Sequence, residues 1–165
     1  MTKLEIIQIL AGFVGAIGFA VLFNIRGKRL IAAAIGGLLS WLLFVVLGTY
    51  ITSEPVRYFI VALVISSYAE VMARLLKSPT TTFITTSLIP LIPGSSLYYT
   101  MTHIFQGNMN TFLQKAIYTL QLTSALALGI IVSTAFAKIF YREIRNIKKM
   151  HSYPTFDQHK SGKTK

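Results

Sequence analysis

Apolar residues dominate four stretches that contain no Asp, Glu, Lys or Arg: residues 6–25, 30–53, 78–114 and 116–137. Each exceeds the roughly 18 residues that mark a membrane-spanning helix. A buried helix of a soluble domain could imitate one such run, but not four in 165 residues. The pattern predicts an all-α membrane protein, a bundle of about five transmembrane helices. Its spans are expected near residues 6–23, 30–50, 56–76, 80–101 and 111–140, all within one transmembrane domain of residues 1–150. Lys3 and Glu5 precede the first run, and 6–23 is longer than the roughly 7–15 residues of a signal-peptide core, so a retained helix is expected.

Punctuation between the runs is local. Residues 24–29 form a basic turn, with Asn24 placed to cap either neighbouring helix. Residues 52–55 read as a turn at which Pro55 stops helix propagation. Ser78 is the expected N-cap of the fourth span, with Pro79 at its first position. After the fifth span, residues 138–150 place Phe140, Ile144 and Ile147 on one face and basic residues on the other. That suits an interfacial helix on an anionic inner leaflet, and equally a frayed end of the fifth helix. The polar segment 151–165 is expected to be a disordered cytoplasmic tail.

Composition agrees. The chain is 53% hydrophobic and 13% charged, with a mean hydropathy of +0.61; soluble domains carry roughly a quarter charged residues. Net charge is +11, which raises nucleic-acid binding, but the basic residues sit at span ends and in the tail, so no nucleic-acid partner is expected. Arg26, Lys28 and Arg29 fill the first loop, Arg74 and Lys77 flank the third, and Lys138, Arg142, Arg145, Lys148 and Lys149 follow the last span. The second loop has only Arg57 beside Glu54, and the fourth only Lys115. The positive-inside rule then puts the N-terminus outside and the C-terminus in the cytoplasm. The chain has no cysteine, hence no disulfide framework and no Cys-based metal site. No enzyme constellation and no cofactor motif occurs.

Small residues recur at helical spacing: Ala32, Gly36 and Ser40; Ala125, Gly129, Ser133 and Ala137; and Gly12, Gly15 and Gly18. They let helix backbones approach where lipid gives no hydrophobic reason to associate. Packing within the chain is one reading, contact with another subunit the other. Gln121 extends the second stripe toward an interface or a polar cavity.

Two features could carry chemistry. The fourth span contains Pro90, Pro93 and Gly94, and should break across residues 90–94 near the bilayer midplane. Broken helices in secondary transporters offer backbone dipoles to substrate. Here Ser95 and Ser96 would start the second half-helix with a serine cap and a positive end suited to a carboxylate. A proline kink filled by a neighbouring side chain is the plain alternative. Tyr98 and Tyr99 follow, as ligands or as interface-belt aromatics. The second feature is Glu70, the one acid deep in an apolar stretch, roughly 10 Å along the helix from Lys77. It is either a proton-coupling or substrate group, or half of an ion pair with Arg74 one turn on.

The runs Ala69-Glu-Val-Met-Ala-Arg74, Ser78-Pro-Thr80, Ile89-Pro-Leu-Ile-Pro-Gly94, Leu97-Tyr-Tyr-Thr-Met101 and Phe19-Ala-Val-Leu-Phe-Asn24 resemble the second domain of the threonine/serine exporter family. The likeness spans nearly the whole chain. It implies the small subunit of a split exporter in the bacterial cytoplasmic membrane, driven by the proton motive force. The implied partner is a large subunit with a cytoplasmic N-terminal part and five spans. The implied substrates are threonine and serine, or succinate for some split pairs. Two five-span halves joined end to end must lie in opposite orientations, as in inverted-repeat transporters. The rivals are a non-transporting scaffold subunit and a homo-oligomeric channel.

Overall fold

The computed structural model describes residues 3–150, and side chains for residues 3–143. The expected disordered tail 151–165 and the side chains of Ile144 and Ile147 lie outside the described residues. Six α-helices follow in order: α1 Lys3–Leu22, α2 Lys28–Gly48, α3 Glu54–Leu75, α4 Thr80–Leu88, α5 Gly94–Phe105 and α6 Met109–Met150. A single 3₁₀ turn, Ile89–Leu91, separates α4 from α5, and no strand occurs among the described residues. Four helices, α1, α2, α3 and α6, are long and apolar enough to cross a bilayer. The chain is thus an all-helical multi-pass membrane protein.

α6 continues through the basic segment as one helix of 42 residues. At a rise of about 1.5 Å per residue it is roughly 63 Å long, about twice a hydrocarbon core. α4 and α5, with 9 and 12 residues, are individually too short to cross.

Three helix ends share one device. Asn24 (φ 56°), Lys77 (φ 48°) and Gly107 (φ 71°) adopt the left-handed conformation. At each, the next residue's amide reaches back five residues: Ile25 N–H to Ala20 O, Ser78 N–H to Ala73 O and Asn108 N–H to His103 O. These are Schellman closures of α1, α3 and α5, so Asn24 ends α1 and caps nothing that follows. The start signals shift slightly from expectation. α4 begins at Thr80 with Pro79 at its N-cap, and the Ser78 hydroxyl instead donates to Leu76 O at 3.3 Å. Pro55 stands in the first turn of α3, where its missing N–H is harmless, so it starts a helix rather than stopping one.

Small residues fill much of the interior around a few large side chains, Phe83, Ile65, Leu91 and Val61, and many large apolar residues face outward. Ser40, Ser66, Thr86 and Ser87 are fully buried beside Ala16, Ala20, Ala33 and Ala69, while Ile7, Val14, Leu120 and Ile131 are exposed. That distribution suits a lipid-facing surface, because lipid supplies no drive to hide Leu and Ile. The small-residue stripes of α2 and α6 pack within the chain. A Cβ on Gly129 would lie 2.7 Å from Ala62 Cβ and from Phe59 O, which brings α6 hard against α3. Ser133 continues that seam with a 2.9 Å hydroxyl contact to Ser67. Gly36 faces Ser87 of α4, and Gly37 faces Ala16 of α1. Gly15 and Gly18 have open space beside them. Gln121 is exposed on α6.

Candidate functional site

The break follows from the two prolines. Pro90 cannot extend α4 and is accommodated in the 3₁₀ turn. Ile92 precedes Pro93, which disfavours helical geometry there, and it adopts an extended φ of −62° and ψ of 125°. Pro93 (φ −74°, ψ 57°) is the N-cap residue of α5. Gly94 N–H reaches the Ile92 carbonyl at 2.7 Å across it, an inverse γ-turn. The first α5 bond within reach of the turn is Leu97 N–H to Pro93 O at 3.1 Å.

This leaves the amides of Ser95 and Ser96 without a backbone acceptor, two of the orphan donors that every helix start produces. The expected serine cap does not form, since α5 has no side-chain cap. The Ser96 hydroxyl instead meets Thr119 Oγ1 of α6 at 2.7 Å. Thr100 completes the seam, 3.1 Å from Thr119 Oγ1 and donating to Ser96 O at 2.8 Å. These hydroxyls lock α5 to α6 and leave the two amides free, pointing the positive end of the helix outward.

The free end opens on a cleft of about 390 Å³. Pro93, Ser95, Ser96 and Tyr99 form one wall, Trp41 and Phe44 of α2 a second, Glu54 and Tyr58 of α3 a third, and Lys115, Tyr118 and Leu122 of α6 the fourth. Glu54 accepts a hydrogen bond from the Tyr118 hydroxyl. Arg57 Nη2 lies 3.5 Å from Glu54 Oε1, and its guanidinium carbon is 4.8 Å above the Phe44 ring. Gly48 makes room for it: a Cβ there would come within 2.8 Å of Arg57 Nη1. The Trp41 indole N–H is buried and without a partner among the described residues. The cleft therefore gathers helix-end amides, a cation and an anion between apolar rings.

Of the residues expected to form a site, Pro93, Ser95, Ser96 and Tyr99 converge here. Pro90 instead lies beside Gly12 of α1, 3.5 Å from where a Cβ on that glycine would stand. Gly94 supplies the turn but does not line the cleft. Tyr98 is 68% exposed on the outer face of α5. Glu70 and Arg74 are elsewhere, with Glu70 about 24 Å further along α3 than Glu54. Glu70 is buried, and its Oε2 accepts from Arg74 Nη2 at 3.1 Å. The Arg74 guanidinium stacks on Tyr141 of α6 at 3.3 Å from the ring centroid. Glu54, Lys115 and Tyr118 were not singled out from sequence, where the first two served only to set orientation.

A second cleft, of about 290 Å³, lies at the opposite end of α4, between Arg26, Arg29, Asn24, Ser78 and Thr82. Arg26 Nε donates to Asn24 Oδ1 at 2.9 Å there.

Comparison with known proteins places this geometry in context. Residues 8–136 match the family model described as Threonine/Serine exporter, ThrE. No curated protein and no solved structure matches the chain.

Proposed function

Because the chain belongs to the threonine/serine exporter family, we propose that it is the small subunit of a two-component secondary exporter of threonine and serine. In this reading the substrate carboxylate docks on the free amides of Ser95 and Ser96, and the proton motive force drives export. The observation that carries the reading is the uncapped start of α5 at a helix break. Backbone donors at membrane depth can face water or protein but not lipid. Gly94 and Ser95 are nevertheless exposed. Something polar must cover them, and a second five-span subunit in the opposite orientation would do so while completing the pocket. α4, the 3₁₀ turn and α5 together supply the remaining crossing. The count of basic residues then puts the α2–α3 and α5–α6 loops, and the cleft beside them, on the outer side of the bacterial cytoplasmic membrane.

Cells loaded with a threonine-containing dipeptide provide the test. Threonine efflux is expected when this chain and its partner are produced together, and should fall to background when either is missing. Efflux that is unchanged without this chain overturns the reading. Conduction by this chain alone in liposomes would favour a channel, and succinate efflux without threonine efflux a dicarboxylate exporter.

A further inference from the structure

We infer that Glu54 is the specificity-determining residue of the cleft, reading the ammonium group of the substrate opposite the carboxylate-binding end. The inference rests on the exporter reading above and extends it from where a substrate binds to which class is selected.

The charges lining the cleft come in one of each sign, Glu54 and Lys115. The free amides of Ser95 and Ser96 add to the positive end. Glu54 is presented rather than sealed, because its side chain is 43% exposed while that of Arg57 is only 15% exposed. The Arg57 contact, at 3.5 Å, is longer than the roughly 2.7–2.9 Å of a close charge-assisted hydrogen bond. Arg57 is also held against Phe44 and Gly48, outside the lining of the cleft. Tyr118 donates to Glu54 from the other side and fixes the carboxylate without neutralising it. A zwitterion in the cleft finds an anionic partner for its ammonium group in Glu54 and positive partners for its carboxylate in Lys115 and the helix-end amides. A dicarboxylate would bring its second carboxylate against Glu54, and like charges brought together discriminate strongly. The chemistry on the walls therefore selects α-amino acids over dicarboxylates.

The test compares threonine with 3-hydroxybutyrate, the same skeleton without the ammonium group, in proteoliposomes holding the assembled exporter. Wild-type transport should favour threonine. Glu54→Gln, with assembly checked by co-purification, should raise the KM for threonine about tenfold or more, the scale of a lost hydrogen bond to a charged group. The KM for 3-hydroxybutyrate should not rise, so the selectivity ratio collapses. Glu54→Asp keeps the charge and should keep the preference. An unchanged threonine KM in Glu54→Gln, or an equal rise for both compounds, overturns the role of Glu54 and leaves the exporter reading standing. Absence of threonine transport by the wild-type assembly overturns the exporter reading and the inference with it.

Discussion

Replacing Pro90 and Pro93 together by alanine is expected to abolish threonine export while the protein still inserts and assembles. Alanine restores the two missing backbone donors and removes the clash that ends α4. A continuous helix would then direct Ser95 N–H to Leu91 O and Ser96 N–H to Ile92 O, consuming the donors now left free. Losing two donors to a carboxylate weakens binding by about 3 kcal/mol, roughly a hundredfold. The same change rotates Ser96 away from Thr119, now 2.7 Å apart, and loosens α5 from α6. Efflux from loaded cells measures the loss of binding, and co-purification with the partner checks that the variant still assembles. Full export by the double variant would show that the break is a packing kink without a role in binding.

Arg74→Ala should destabilise the protein by about 3 kcal/mol. Glu70 is only 8% exposed, and its carboxylate is held by Arg74. Removing one partner of a buried pair leaves an uncompensated charge, which costs about 3–5 kcal/mol. The lower end applies because the Arg74 side chain is 41% exposed. The variant also loses the stacking on Tyr141 that ties α3 to α6. Removing both charges, as in Glu70→Leu with Arg74→Leu, should recover stability to within about 1 kcal/mol. Unfolding in bicelles checks both values. If the double variant also exports threonine, the pair is structural. If it folds and does not export, the pair takes part in transport, as a proton-coupling or substrate group.

Much of the architecture was legible because membrane helices are written in long, charge-free runs. The break was equally legible, since two prolines three residues apart leave no register in which a helix continues. Other features had no local signature. Hydropathy marks where a helix leaves lipid and not where it ends. The apolar run stops before Lys138, yet α6 continues to Met150, over Lys, Arg and Glu residues that are good helix formers. Glu54 sits between Ser53 and Pro55 and reads as a turn charge. Its hydroxyl partner Tyr118 is 64 residues away, and only tertiary packing brings them together. Ser95 and Ser96 were expected to start the second half-helix with a serine cap, as serines at helix starts commonly do. The helix instead starts at Gly94 with Pro93 as its N-cap, which places both serines inside the first turn rather than at the cap.

Hydrogen exchange at the amides of Ser95 and Ser96, in the assembled exporter in a bilayer, tests the central claim most directly. Without substrate both amides should exchange rapidly, like unpaired donors open to water. Saturating threonine should protect them, while amides in the middle of α3 stay unchanged. Slow exchange before substrate is added, or rates that threonine does not alter, would contradict the account.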